Sequence, residues 1–146
     1  YEINVGKMGI SRRKCPVCDG LKFSSSVLSV RRDGKTIGDL FVMTCNDVLS
    51  FFRKNNLIKA ASSLEVFINL NLGNVAYGKA ITEVSYSEAT LMMIGRFLLS
   101  NEDRYCIKNP FSAIGSEDLS ILKKQLDDLC KKHKKTLVLE VNNDFI

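Results

Sequence analysis

The 146-residue chain lacks three features that would each assign it to a broad class of protein. No apolar run reaches the roughly 18 residues that a membrane-spanning helix needs, and the N-terminus lacks the apolar core of a signal peptide. No G-x-x-x-x-G-K-[ST] sequence occurs, so the chain carries no phosphate-binding loop of that type. These absences predict a cytoplasmic protein without a membrane partner. Because the sequence begins at Tyr1 and not at methionine, we expect a piece of a longer protein.

The positive charge of the chain is concentrated near its start. The formal net charge is +5, and residues 1–35 carry eight basic and three acidic side chains, so this region holds the entire excess. Clustered cations raise the local affinity for phosphate through counterion release, which predicts contact with DNA. A solvated surface is the alternative. The candidate DNA-binding residues are Arg12, Arg13, Lys14, Lys22, Arg31, Arg32 and Lys35.

The cysteines indicate a metal site better than a disulfide framework. Five is an odd number, and Cys15 and Cys18 form a C-x-x-C followed by Gly20, which is typical of half a zinc knuckle. Zinc needs four ligands, and two partly buried thiols are the alternative reading. The other candidate ligands show no second paired spacing: Cys45, Cys106, Cys130 and His133.

The stretch from Leu72 to Ser100 organises the chain. Ser85, followed three residues later by Glu88, predicts a capping box at a helix start, between the glycine-containing loop and an apolar segment. The segment that follows is apolar around most of its circumference, which predicts a buried helix.

Local signals predict further elements in the first half of the chain. Residues 1–14 are typical of a short, irregular hairpin. Residues 27–31 alternate like a strand, Asp33-Gly34 is a turn signal, and residues 36–37 begin a return strand. Thr44, with Asp47 three residues on, predicts a helix cap, and a second helix is expected over residues 58–69.

The C-terminal part predicts a strand, a helix and a second strand. Tyr105 to Ser112 is a short strand that ends at proline, residues 116–133 form a helix with acids at its start and cations at its end, and residues 136–141 form a buried strand. This spacing predicts a parallel pair of strands. The fold class is therefore α/β.

The order of several short motifs resembles the UvrA family, the ATP-binding-cassette proteins of bacterial nucleotide excision repair. Leu72-Gly73, Tyr77-Gly78 and the run 84–89, VSYSEA, stand where that family has LG, LG and LSGGEA in its second cassette. The C-x-x-C-x-G and the MT-x-x-D-x-x-x-FF of residues 43–52 are similar to family motifs as well.

The resemblance implies that the ATPase chemistry has degenerated. Lys108 occupies the position of the magnesium-binding Walker B aspartate, Asn109 that of the water-activating glutamate, and Val141 that of the γ-phosphate-sensing histidine. In the signature-like loop of Ser85, Tyr86, Ser87 and Glu88, two side chains replace two glycines. The resemblance thus implies a chain that alone binds neither ATP nor Mg²⁺. It also implies that the first half of a zinc module lies upstream of Tyr1.

We therefore expect three parts: residues 1–35 as a basic hairpin region with half a zinc knuckle, residues 36–104 as a helical signature-like subdomain, and residues 105–146 as the β-α-β end of a degenerate cassette. The function implied is DNA binding or assembly in excision repair, with the upstream half of the parent protein as partner and a homodimer as an option. The rival hypothesis is a pseudo-ATPase module that packs on an intact cassette and contacts no nucleic acid.

Overall fold

The computed structural model describes residues 2–4, 10–12, 15, 16, 18, 20–108 and 116–140. In chain order the strands and helices are β1 (Glu2–Asn4), β2 (Ile10–Arg12), α1 (Ser25–Leu28), α2 (Ile37–Val42), α3 (Cys45–Lys54), α4 (Ile58–Phe67), α5 (Tyr86–Leu99), β3 (Arg104–Lys108), α6 (Ser116–His133) and β4 (Thr136–Glu140). A π-helical turn, Ile68–Leu72, follows α4 directly.

The N-terminal region contains the expected hairpin but not the expected second pair of strands. β1 and β2 pair in antiparallel fashion. The strand predicted over residues 27–31 is wrong: Ser24 caps α1 by accepting a hydrogen bond from the Val27 backbone N–H. Three consecutive serines favour such local bonds over strand pairing, and none of the described strands pairs with this segment.

The turn at Asp33 and Gly34 is confirmed, but the return strand after it is wrong. Both residues have positive φ, 49° and 76°, and Arg32 and Lys35 exchange two backbone hydrogen bonds across the turn. The pairing stops there because Thr36 begins α2. Its backbone N–H donates to the Asp39 carboxylate at 2.7 Å, which completes a capping box and removes the N–H from any strand ladder.

Helices α3 and α4 form the first of two apolar clusters. The Thr44 cap is confirmed, since the Thr44 hydroxyl oxygen accepts from the Asp47 backbone N–H at 3.2 Å. The buried side chains of this cluster come from α2, α3 and α4: Leu40, Cys45, Val48, Leu49, Phe51, Phe52, Ala61 and Leu64.

Helix α4 ends at Phe67, two residues before the predicted end. Leu70 and Asn71 leave helical geometry, and Asn71 adopts a left-handed conformation with φ of 62°. Asparagine tolerates this conformation better than most residues do. The chain thereby turns at Gly73 into the loop that leads to α5.

Helix α5 is the centre of the second apolar cluster. Its buried side chains pack with the π turn, β3 and α6, and the cluster includes Leu70, Leu72, Leu91, Ile94, Phe97, Leu98, Ile107, Leu122, Leu126 and Leu129. The prediction that α5 is buried all round is wrong in part. Tyr86, Met93 and Leu99 remain exposed.

The parallel pairing of the β3–α6–β4 unit is confirmed, but the prediction that β4 is buried is wrong: its residues alternate between exposed and half-buried, and Val138 is 51% exposed. β3 and β4 are adjacent parallel strands in which Lys108 aligns with Glu140, and α6 spans the predicted residues. The inner face of the sheet and the leucines of α6 bury each other. Lys135, just before β4, is almost fully buried, and its ammonium donates to the Ser100 and Glu102 carbonyl oxygens. This lysine ties the end of α5 to the start of the sheet.

Within the part of the chain that the structure describes, no helix is both long and apolar enough to cross a membrane.

The contact between α5 and α4 generates a stability prediction. A Cβ atom on Gly95 would lie 2.6 Å from a ring carbon of Phe67, too close for real atoms. We expect Gly95→Ala to lower the free energy of unfolding by about 1–2 kcal/mol, since overpacking outweighs the better helix propensity of alanine. Urea denaturation measures this change. The control is Arg96→Ala, an exposed neighbour, for which a change below about 0.5 kcal/mol is expected. If the urea midpoint of Gly95→Ala equals that of the wild type, the close contact between Gly95 and Phe67 is contradicted.

Candidate functional site

A capping box formed by Ser85 and Glu88 fixes the signature-like loop to the first turn of α5. The Ser85 hydroxyl oxygen accepts from the Glu88 backbone N–H at 3.2 Å, and the Ser85 backbone N–H donates to the Glu88 carboxylate at 2.7 Å. Lys79, from the preceding loop, reaches the same carboxylate at 3.3 Å, and both side chains are half-buried. Ser85 and Glu88 therefore hold the loop in place.

Glu88 is ionised in this arrangement. The hydrogen bond from the Ser85 backbone N–H, followed by the bonds from Lys79 and the Ser85 hydroxyl, holds the pKa of the carboxyl below its usual value. The positive end of the helix dipole at the start of α5 also favours the negatively charged form of Glu88.

Tyr86 and Ser87 follow the cap in the first turn of α5. The Tyr86 side chain is 57% exposed, and its backbone carbonyl accepts from the Thr90 hydroxyl at 3.0 Å. A glycine at either position would leave backbone N–H groups open to close approach by an anion. The side chains present here occupy the space beside this helix start.

Lys108 and Glu140 meet at the carboxyl edge of the parallel sheet. They are directly opposite in the strand register, and the Lys108 ammonium lies 3.3 Å from the Glu140 carboxylate. Both side chains are exposed, 79% and 53%, so the pair contributes little to stability. Asn109 and Val141, the residues that follow them, lie outside the described residues.

The described residues at this edge, Lys108 and Glu140, do not fit a magnesium ion. Mg²⁺ takes oxygen ligands, and the Lys108 ammonium supplies a positive charge and hydrogen-bond donors only. The carboxylate nearest to Lys108 is already paired with that ammonium. No reaction step through Mg²⁺ can be derived from this arrangement.

The basic N-terminal residues have different roles in the structure. Arg32 donates from Nε to the Asn55 side chain at 3.1 Å and from its terminal nitrogen to the Asn55 carbonyl at 3.0 Å, so it holds the end of α3. Lys22 and Lys35 are exposed, and Arg31 donates to the Gly34 carbonyl at 3.0 Å. Among the remaining candidates, Arg12 lies in β2, and Arg13 and Lys14 are outside the described residues.

A turn follows the C-x-x-C of Cys15 and Cys18. Cys15 and Cys18 are half-buried, the Cys18 carbonyl accepts from the Leu21 backbone N–H at 2.8 Å, and Gly20 adopts positive φ. Two thiols could supply half of a tetrahedral zinc site. In the described part of the chain, no group of three or more metal-binding side chains converges.

Several proteins similar to this chain are named UvrABC system protein A. Over 135 residues, 90% of this chain and 14% of the relative, the chain is 30% identical to UvrABC system protein A of Mycoplasmopsis pulmonis and 31% identical to that of Lactococcus lactis. It is 30% identical to that of Rickettsia bellii over 139 residues. The chain is a homologue of part of UvrA. It spans about one seventh of the length of these relatives, and no protein-family profile matches it.

The fold is that of a UvrA protein as well. The crystal structure of UvrA2 from Deinococcus radiodurans superposes on 97% of this chain with a TM-score of 0.77 at 23% identity, and the chain covers 17% of that structure. The mixed helix and strand architecture, with its small parallel sheet, is therefore a UvrA architecture. The whole UvrA protein extends well beyond it.

Two residues of this UvrA homologue were missed at the sequence level. Asn55 binds Arg32 across 23 positions, and Lys79 binds Glu88 from within the loop. No short motif marks either pairing, because both depend on how helices and loops fold back on each other. A lysine in a loop that precedes a capping box is the only local signal for the second pair.

The cap generates a prediction with a defined pH dependence. We expect Glu88→Ala to lower the free energy of unfolding at pH 7 by about 1 kcal/mol, because it removes half of the capping box and the partner of Lys79. Because the native pKa of Glu88 is lowered, its contribution is full above the ordinary glutamate pKa of about 4.3 and is lost as the pH falls through the native pKa.

Urea denaturation of both proteins between pH 7 and pH 3 measures this dependence. The difference in unfolding free energy between wild type and Glu88→Ala should shrink as the pH falls. Glu102→Ala, an exposed acid in the turn after α5, serves as the control with little effect expected at either pH. A difference that stays constant with pH would contradict the role of the carboxylate.

Proposed function

We propose that this chain is the C-terminal part of the second cassette of a UvrA-like excision-repair protein, and that it serves in DNA binding or assembly without hydrolysing ATP. The observation that carries the proposal is the Lys108–Glu140 pair at the carboxyl edge of the sheet. In the cassette family this edge holds the magnesium-binding aspartate, and here an ammonium stands at that position.

Loss of the metal ligand is accompanied by loss of the phosphate contacts. Phosphoryl transfer needs a phosphate cradle, a metal ligand and a positioned base or water. Asn109 is a neutral amide that cannot accept a proton at neutral pH, and Val141 has no polar atom in its side chain. At the helix start, Ser85 and Glu88 cap each other, and Tyr86 stands where the family has glycine.

The scaffold of the cassette is kept while this chemistry is lost. The capping boxes, the close packing of α5 and the parallel strand pair are all present. A protein segment that keeps its fold without its catalytic groups retains a surface that partners and DNA can use. The upstream half of the parent protein, or an intact cassette, is the proposed protein partner.

The basic region is the proposed DNA contact. Lys22, Arg31 and Lys35 are exposed, with charges that phosphates can reach. Arg32 is bound to Asn55, so its proposed role is to hold the basic turn of residues 31–35 against α3. In the parent protein we propose that Cys15 and Cys18 complete a zinc site with thiols from outside this chain.

We expect the chain to bind no nucleotide. Isothermal titration with a non-hydrolysable ATP analogue and Mg²⁺ should give no heat of specific binding up to millimolar concentration. The double substitution Lys108→Asp with Asn109→Glu should not restore binding, because the cradle for the phosphates is still absent. Micromolar binding that requires Mg²⁺ would overturn the proposal that this cassette is inactive.

We expect the chain to bind duplex DNA with an affinity that falls steeply with salt. Lys35→Glu should weaken DNA binding. The slope of log K against log salt concentration should fall by about one for a lost phosphate contact, and by more here because the substitution reverses the charge. Lys59→Glu, the same exchange at an exposed position on α4, is the control. Fluorescence anisotropy across a salt series measures both. Absence of binding at low salt would favour the rival hypothesis of a module that contacts protein only.

A further inference from the structure

A groove of about 520 Å³ lies between α1, α2 and α3. Its floor is formed by the aromatic rings of Phe51 and Phe52, and its walls include Val27, Val30 and Ile37. The volume falls within the range of about 300–1,000 Å³ that is usual for binding clefts. None of the residues that form this groove belongs to the signature-like loop or to the carboxyl edge of the sheet.

The groove has an apolar wall that is open to solvent. Val27 is 44% exposed and Val30 is 69% exposed. They lie three residues apart, so the short helix α1 and the turn after it present both on one side. A single exposed valine is ordinary on a protein surface, but two beside an apolar floor form a continuous patch, and such patches mark interaction sites.

The rim of the groove is positively charged. Arg32 and Lys35 line it, and no acidic side chain is among the described residues that do so. Arg32 is held in place by its two bonds to Asn55. Two carboxylates lie near this rim without lining the groove: Asp33 is paired with Lys54 at 2.6 Å, and Asp39 accepts hydrogen bonds from the Thr36 backbone N–H and hydroxyl. A ligand that complements this groove is therefore apolar where it meets the valines and anionic where it meets the rim.

We propose that this groove binds an apolar segment of a partner polypeptide flanked by acidic side chains. Apolar anchors would cover the valines and the floor, and carboxylates would pair with Arg32 and Lys35, as in other helix-in-groove contacts. The phosphates of duplex DNA could pair with the cations but would leave both valines in water. The open wall fits a polypeptide segment better than an enclosed small molecule. The proposal needs neither nucleotide nor DNA.

The probe for this proposal is a synthetic twelve-residue amphipathic peptide with leucine on one face and glutamate on the other. Two matched peptides carry lysine for every glutamate, or serine for every leucine. Anisotropy of each labelled peptide is measured with the full 146-residue chain. We expect the leucine–glutamate peptide to bind, and each matched peptide to bind at least tenfold more weakly.

Two pairs of variants locate the binding. Val30→Ser should weaken binding of the leucine–glutamate peptide about tenfold. Val42→Ser should not change this binding, because Val42 is 71% exposed and lies outside the groove. Lys35→Glu should weaken it as well, with Lys59→Glu as the control. Circular dichroism and urea midpoints identify any variant that fails to fold.

Four results would overturn the proposal. The first is that the leucine–glutamate peptide does not bind at millimolar concentration, and the second is that the lysine peptide binds equally well. The third is that Val30→Ser and Val42→Ser have equal effects on peptide binding. The fourth is that Val30→Ser weakens binding of duplex DNA tenfold. The last result would make nucleic acid the occupant of the groove. DNA binding that survives Val30→Ser, together with loss of peptide binding, would support the groove as a separate protein site.

Discussion

The close approach of α5 to Phe67 at Gly95 is the contact on which much of the structure depends. Because glycine brings the two helices together, the apolar side chains of α5 can pack on the π turn and on α6 at once. The two ends of α5 are held separately. Its start is closed by Ser85, Glu88 and Lys79, and its end by the buried Lys135. The position of this helix therefore fixes both the signature-like loop and the start of the sheet.

The sheet that follows α5 consists of two parallel strands joined through α6. Parallel pairing through α6 brings the carboxyl ends of β3 and β4 side by side, which is where ligands bind in α/β folds. At that edge lie a lysine and a glutamate that pair with each other. The architecture shared with UvrA proteins does not depend on these two side chains, because both are exposed and neither belongs to the apolar cluster around α5.

Features that depend on neighbouring residues could be predicted from the sequence. The caps at Thr44 and Ser85 are contacts across three residues, and the parallel strands follow from the strand–helix–strand spacing. The period-2 pattern of residues 27–31 failed, because five residues are too few to outweigh local serine caps when no partner strand is nearby. Thr36 and Asp39 have the same three-residue spacing as the caps at Thr44 and Ser85. The predicted return strand over residues 36–37 is incompatible with a helix start at Thr36, so this capping box is not among the predictions.

Features that join distant segments could not be predicted. The bonds of Arg32 to Asn55 and of Lys135 to the Ser100 carbonyl cross 23 and 35 positions, and their geometry exists only once the helices have packed. For the same reason, the sequence does not distinguish Arg32, which holds the end of α3, from the other basic residues of its region. The contact between Lys108 and Glu140 is predictable in part. The sequence predicts the two parallel strands, but it does not predict the register that places these residues opposite each other.

We propose that the carboxyl edge of this sheet holds no divalent cation. Manganese can replace magnesium, and it broadens the NMR signals of amides close to where it binds. The direct measurement is therefore a titration of the ¹⁵N-labelled chain with Mn²⁺ and a non-hydrolysable ATP analogue. We expect the amide signals of Ile107, Lys108, Leu139 and Glu140 to keep their intensity. Selective broadening of these signals, reversed by Mg²⁺, would contradict the proposal.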